Sequence, residues 1–207
     1  MSAKTSAAPL TAKGSATRNR IVTVAGELIY RGGIQGTTNP AVRSAAGISG
    51  SQLSHYFPEK ESLIRAVIAW RTEQVVTLSR VSPSGGLDSL AALRLWADSY
   101  TQREEAWQGG CRFGSLASEV LKSDLDLKGD VAAGFQRWRG IFRDGLVAMR
   151  AQGELRDDAD PDRLANVLLA AFQGGMLLAQ AEHSVTPLSA ALDGAIGYVS
   201  SFAVDPR

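Results

Sequence analysis

The sequence predicts an all-α protein of about nine helices, in which a compact three-helix unit precedes a larger helical domain. Three observations lead there. Apolar residues recur at helical spacing along most of the chain, with no alternating strand pattern in competition. Gly, Pro and Asp signals cut this pattern into segments of helix length. The tetrapeptide Ala46-Gly47-Ile48-Ser49 falls between two short helical segments, as the joint of a helix-turn-helix would. At 207 residues the chain is longer than a minimal module of that kind, so a second domain with its own core is expected behind it.

The first helix is expected from about Thr17 to Arg31. Ile21, Val24, Ala25, Leu28 and Ile29 share a face, and Gly32-Gly33 suits a left-handed terminus. Thr37-Thr38-Asn39-Pro40 then starts helix two at about Pro40, with Asn39 as its natural N-cap, because Pro40 disfavours helical geometry in the residue before it. Gly47 supplies the turn after Ala46. Ser49-Gly50-Ser51-Gln52 fits a capping box at the start of helix three, which packs Leu53 with Tyr56 or Phe57 inward and ends before Pro58. Glu59 and Glu61 favour a fresh N-terminus for helix four, apolar at Leu63, Ile64, Val67 and Ile68 and reaching about Ser79. A loop follows to about Asp88, then helices near 88–106, 111–122, 129–152, 161–183 and 186–203. The domain division is a flexible basic arm over 1–15, a helix-turn-helix domain over 16–66 and the larger domain over 67–207.

With 44% apolar and 21% charged residues the composition is that of a globular chain, not a disordered one. Charged or amide residues interrupt every apolar stretch before it reaches the roughly 20 residues of a membrane span, so a cytoplasmic protein with no membrane association is expected. The first fifteen residues lack the apolar run of a secretion signal. One cysteine, Cys111, and two histidines imply neither an internal disulfide nor a zinc framework, and no cofactor is expected. The net charge of +1 is unevenly spread. Residues 1–66 hold eight Lys or Arg against three Glu, a net +5, and the remainder holds fourteen against eighteen, a net −4. Positive charge concentrated on the helix-turn-helix points to local docking on double-stranded DNA.

In such a motif the second helix enters the major groove and its N-terminal residues meet base edges, which makes Ser51, Gln52, Ser54, His55 and Tyr56 the candidate readers. Gln52 serves either adenine recognition or the capping box, Tyr56 either a phosphate or the core, and both alternatives stand. The stretch from Ala46 through Ser49-Gly50-Ser51-Gln52-Leu53-Ser54-His55-Tyr56-Phe57-Pro58-Glu59-Lys60-Glu61 to Leu63 closely resembles the signature of TetR-family repressors, and the likeness extends upstream through Ala25, Gly33 and Thr37-Thr38. Gly110-Cys111-Arg112-Phe113-Gly114-Ser115-Leu116-Ala117-Ser118-Glu119 resembles a segment of one subgroup of these regulators. The resemblance implies a DNA-contacting set of Thr38, Ser49, Ser51, Gln52, Ser54, His55, Tyr56 and Lys60, with Thr38 and Lys60 on the phosphate backbone. Three positions depart from the family pattern: Arg43 stands where a small residue is usual, Gly50 where a lysine often follows the Ser cap, and Ser54 where a tyrosine is frequent. Two common phosphate contacts are therefore missing or moved, with Arg43, Arg18 and Arg20 as candidate replacements.

A specific site normally takes two copies of the motif, so a homodimer is expected. Leu164, Val167, Leu168, Ala171, Phe172, Gly175 and Ala179 form one apolar stripe, and Leu188, Leu192, Ile196 and Val199 a second. The resemblance assigns them to a four-helix dimer seam; ordinary intramolecular core is the alternative. Trp96, Tyr100, Trp107, Phe113, Trp138, Phe142, Phe172, Gln173 and Met176 are the candidates to line a cavity for a small, largely apolar effector, with Phe135 beside them and Arg112 and Glu119 as further orienting groups. A plain core would produce much the same list. The function these readings imply is a transcriptional repressor released from its operator by that effector. An alternative is a regulator sensing oxidants or electrophiles through a Cys111 thiol acidified near a helix N-terminus. A helical enzyme is a distant third, since no nucleophile–base pair, phosphate loop or metal cluster is legible, and the acidic run Asp157, Asp158, Asp160, Asp162 reads as a solvated loop and helix cap.

Overall fold

The computed structural model describes residues 10–80, 86–102 and 108–204, and these are helical almost throughout. Nine helices are present among them, and the only β-type pairing is one isolated bridge between Leu155 and Ala203. The chain divides between Trp70 and Arg71 into two compact units.

The first unit contains α1 (Ala12–Gly36), α2 (Asn39–Ala46), α3 (Gly50–Tyr56) and the first half of α4 (Lys60–Arg80). α1 begins within the stretch expected as a flexible arm. Thr11 supplies the cap, its Oγ1 accepting from the Gly14 amide at 3.2 Å, and nothing in Ala12-Lys13-Gly14-Ser15 breaks the helix. At the other end Gly33 interrupts the helical path with φ 73° and ψ 170°, a region open essentially to glycine alone. The chain then re-forms a turn, Thr37 donating to the Gly33 carbonyl from its backbone N–H at 3.2 Å and its hydroxyl at 2.9 Å.

Thr38, not Asn39, caps α2: its Oγ1 accepts from the Ala41 amide at 3.3 Å, and Asn39 is drawn into the first turn ahead of Pro40. The cap bond outweighs the local preference of a residue before proline. The inward faces of α1 to α4 bring together Ile21, Ala25, Ile29, Val42, Leu53, Phe57, Ile64, Val67 and Ile68, all buried. Val24 and Leu28, although in phase by sequence, are only half-buried, and Val22 is buried in their stead. Trp70 of α4 packs on the backbone of α1 at Gly26, where a Cβ would meet the indole Cζ3 at 2.5 Å.

The second unit holds the rest of α4 with α5 (Leu90–Thr101), α6 (Arg112–Leu121), α7 (Lys128–Ala151), α8 (Pro161–Glu182) and α9 (Thr186–Ser200). α8 packs against both α7 and α9, α5 against α9 and α6 against α7. Asp160 caps α8 through Oδ1, which accepts from the Asp162 and Arg163 amides at 3.0 and 3.3 Å, and Pro161 begins the first turn. α8 is also, by length and composition, apolar enough to cross a membrane, with mean hydropathy 1.4 over an 18-residue window, which corrects the expectation that no stretch comes close. Its apolar residues have another use. Leu164, Leu168, Phe172 and Met176 are buried in packing within this unit, as in any core helix.

That burial also corrects the assignment of the two stripes. Val167 and Ala171 of the first stripe are only half-buried, but Leu164, Leu168, Phe172, Gly175 and Ala179 on α8, and Leu188, Leu192, Ile196 and Val199 on α9, are buried within the single chain. They cannot be a seam between chains. At Gly175 a Cβ would stand 2.9 Å from the Cα of Leu188, so glycine there sets the close approach of α8 to α9. The faces left open carry Ala170, Gly174, Leu177, Leu178 and Ala181 on α8 and Ala190, Gly194 and Gly197 on α9. Leu177 is 66% and Leu178 51% exposed.

Candidate nucleic-acid interface

α2 and α3 are joined by Gly47 in the left-handed conformation, φ 62° and ψ 47°, with its N–H donating to the carbonyls of Arg43 and Ser44. The turn closes α2 and re-aims the chain into Ile48-Ser49. Ser49 then opens α3 with a complete capping box: its Oγ accepts from the Gln52 amide at 3.2 Å, and its own N–H donates to Gln52 Oε1 at 3.0 Å. A seven-residue helix is too short to persist alone in water, so these two bonds and the burial of Leu53 and Phe57 hold α3 in shape.

With Leu53 and Phe57 facing the core, Ser51, Gln52, Ser54 and His55 are exposed and Tyr56 half-buried. Ser51, Ser54 and His55, at i, i+3 and i+4, share one face. The cap consumes part of this set. Ser49 Oγ is engaged by the Gln52 amide and by Ser51 Oγ at 2.9 Å, and Gln52 Oε1 is held by the Ser49 N–H, leaving its side-chain nitrogen as the freer group. Tyr56 meets His55 edge to face, ring centres 5.0 Å apart, and its hydroxyl lies beside the first turn of α1, 3.4 Å from where a Gly14 Cβ would be. Thr38 and Lys60, at the starts of α2 and α4, are both exposed.

Two of the three arginines offered as replacement phosphate contacts have structural work. Arg20 Nε donates to the Ala46 carbonyl at 3.0 Å, closing the C-terminus of α2 from α1. Arg18 lies over the Phe57 ring, its Cζ 5.1 Å from the centroid. The carbonyls left open at the end of α2 were the one sequence signal for the Arg20 bond; nothing local announces the Arg18 stacking, which depends on the tertiary meeting of α1 with the end of α3.

In the second unit the expected aromatic residues do come together. Phe172 is the hub, with ring centres of Tyr100, Trp138 and Trp96 at 4.8, 5.3 and 5.5 Å, and Trp96 also meets Phe142 at 4.8 Å. Phe113 joins through Trp138 at 6.4 Å and Phe135 at 4.8 Å. Met176 is buried one turn beyond Phe172, while Trp107 lies outside the described residues. The indole N–H groups of Trp96 and Trp138 are buried and find no hydrogen-bond partner among the described residues.

Gln173 does not stand free as an orienting group, since its Nε2 contacts Cys111 Sγ at 3.4 Å. Cys111 is the N-cap of α6, its sulfur accepting from the Gly114 amide at 3.3 Å. Burial pushes this thiol's pKa up, against the smaller opposing pull of the Gly114, Gln173 and Phe113 hydrogen bonds. An activated sensor thiol requires the reverse, so the oxidant-sensing alternative is not supported.

Two family models match the chain: "Bacterial regulatory proteins, tetR family" over residues 21–67, and "Tetracyclin repressor-like, C-terminal domain" over residues 86–195. The transcriptional regulator AcuR of Cereibacter sphaeroides is 27% identical over 150 residues, covering 71% of this chain and 68% of its own length. The HTH-type transcriptional repressor DhaR of a Mycobacterium species is 24% identical over 173 residues, covering 83% and 86%. A solved TetR transcriptional regulator from Chloroflexus aurantiacus superimposes with a TM-score of 0.79 at 27% identity, over 93% of this chain and 98% of its own.

Proposed function

From the premise that the chain belongs to the TetR family of bacterial regulatory proteins, and is a DNA-binding regulator rather than an enzyme, we propose that it acts in the cytoplasm as a dimeric repressor released from its operator by a small effector. One observation carries the proposal: a short helix locked by its own capping box presents Ser51, Ser54 and His55 along one exposed edge, within the positively charged part of the chain. In that reading Thr38 and Lys60 grip phosphates on either side.

Two such edges must lie about 34–36 Å apart to meet successive major grooves, which takes a second copy. The open faces of α8 and α9, small residues around Leu177 and Leu178, suit a helix-to-helix seam between protomers. The aromatic group around Phe172 is the proposed effector site. These packed rings would suit a largely apolar molecule that opens space among them, and the indole N–H groups of Trp96 and Trp138, without a partner among the described residues, favour one that carries a hydrogen-bond acceptor. α4 contains the division between the two units and begins at Lys60, so a shift at its far end reaches a proposed phosphate contact through one helix. The effector must bind the DNA-free state more tightly than the bound state, because equal affinity shifts nothing.

Selection of bound duplexes from a random pool, followed by titration of the recovered complex with candidate effectors, tests the proposal. A two-fold symmetric site whose affinity falls as an apolar, acceptor-bearing compound saturates the protein is the expected result. A protein that remains monomeric and retains no duplex at low salt would refute it, and an effector that saturates without altering DNA affinity would refute the release mechanism.

A further inference from the structure

Arg43 and Gly50 are the two neighbouring departures from the family pattern, and the structure shows that they occupy each other's space. An ideal Cβ on Gly50 would stand 2.9 Å from Arg43 Nη1 and 3.9 Å from its Cζ. The guanidinium of Arg43, rooted on α2, therefore fills the volume beside the first residue of α3 where a side chain at position 50 would emerge. The two residues line one shallow surface groove with Ser44, Gly47 and Ser49.

The position of the guanidinium calls for an explanation. Arg43 is exposed, and among the described residues no carboxylate or carbonyl holds its side chain. At the C-terminal turn of α2 an arginine is favoured by the helix dipole, but the carbonyl of Ala46 there is already served by Arg20. Arg18 is stacked on Phe57. Arg20 is tied down through its Nε and Arg18 by its ring stacking, whereas among the described residues nothing of either kind anchors the Arg43 guanidinium, which lies beside the start of the helix that presents Ser51, Ser54 and His55.

We propose that Arg43 grips a DNA phosphate beside the start of the recognition helix, and that Gly50 is glycine to leave room for it. The cation comes from α2, the helix that braces across the backbone, where the family pattern often has a lysine on α3. The inference rests on the DNA-binding reading above. A phosphate is assigned in preference to a base edge because the side chain arises from the bracing helix, and a guanidinium suits phosphate geometry.

The test compares the full-length wild type with R43A, R43K, G50A and the R43A/G50A double variant on the selected operator, by fluorescence anisotropy at several salt concentrations. Each phosphate contact contributes about 0.9 to the slope of log affinity against log salt, so losing one from each protomer lowers the slope by about 1.8. Between 50 and 200 mM salt the advantage of the wild type over R43A then shrinks about tenfold. The R43A loss is expected to be uniform across operator variants, and R43K, which keeps the charge, is expected to retain most of the slope. G50A pushes a flexible side-chain tip aside without touching backbone, so it is expected to fold as the wild type does and to lose affinity in the R43A manner. In the R43A background it should add nothing.

Unchanged affinity and slope in R43A, additive losses from R43A and G50A, or a loss confined to one base pair would each overturn the assignment. Melting curves and oligomer size for each variant exclude a folding effect. Wild-type protein that retains no duplex overturns the DNA-binding reading itself, whereas normal wild-type binding with an indifferent R43A overturns this inference alone.

Discussion

The two left-handed glycines of the first unit should respond differently to the same pair of substitutions. At Gly47, φ 62° and ψ 47° lie in the left-handed helical basin, and an added Cβ would meet nothing within 4 Å. The whole cost of Gly47→Ala is then backbone strain, about 1–2 kcal/mol for a residue with a Cβ. That is roughly a 5- to 30-fold change in the folded-to-unfolded ratio. Asparagine tolerates this basin through local hydrogen bonding, so Gly47→Asn should recover most of the loss. At Gly33, φ 73° and ψ 170° fall outside that basin, in a region where asparagine has no advantage, and strain of about 1–3 kcal/mol is expected for both substitutions. Urea unfolding followed by circular dichroism, at one fixed protein concentration to hold any oligomer contribution constant, measures all four. Equal losses for Gly47→Ala and Gly47→Asn, or rescue of Gly33 by asparagine, would refute the assignment of cost to backbone region.

Other predictions follow from single contacts. Ser49→Ala removes the N-cap of α3 and should cost about 1 kcal/mol, read as faster hydrogen exchange at the Gln52 amide and weaker DNA binding; unaltered exchange there would show that packing alone holds the helix. Phe172→Ala deletes the ring that Tyr100, Trp96 and Trp138 all meet, and should destabilise the second unit by about 3–5 kcal/mol in chemical denaturation, unless those aromatic contacts are dispensable. The Cys111 thiol holds its proton more tightly in the folded protein than in the unfolded chain, so its contribution to stability is complete below the ordinary thiol range and fades as pH rises through the raised pKa. A thiolate-directed reagent should therefore label the native protein, in which Cys111 is half-buried, more slowly than urea-unfolded protein near neutral pH, and equal rates would contradict the raised pKa. Leu177→Glu combined with Leu178→Glu places charge on the open face of α8, and light scattering should register monomers if that face is the seam.

How far the sequence spoke depended on whether the deciding interaction was local. The α3 capping box was legible because Ser49 and Gln52 stand three residues apart and bond each other. The Gly47 turn was legible for the same reason. Thr11 as the cap of α1 was missed: a Thr followed by Ala, Lys, Gly and Ser carries too little apolar pattern to announce a helix, although the cap bond spans only three residues. The purpose of Arg18 was illegible in a stronger sense, and that of Arg20 was announced only as open carbonyls at the end of α2, with nothing to say which donor would meet them. A stacking on Phe57 and a bond to the Ala46 carbonyl, 26 residues away, exist only once α1, α2 and α3 have met.

α8 shows where periodicity stops being informative. The stripe through Leu164, Leu168, Phe172, Gly175 and Ala179 was correctly apolar, yet apolar spacing fixes only that a face is covered, not by what. Within one chain α7 and α9 already cover it, and the small residues the resemblance assigns to a dimer seam are engaged at home, with Gly175 against Leu188. The face that remains, with Leu177 and Leu178 among Ala170, Gly174 and Ala181, has a weaker pattern because its small residues add little hydrophobicity to a helical wheel. Between its buried face and the open Leu177 and Leu178, α8 is apolar enough to satisfy the length and hydropathy of a membrane span, as the core helix of a soluble protein also can. If the proposed dimer seam forms there, it covers the part of that apolar surface which the chain itself leaves open.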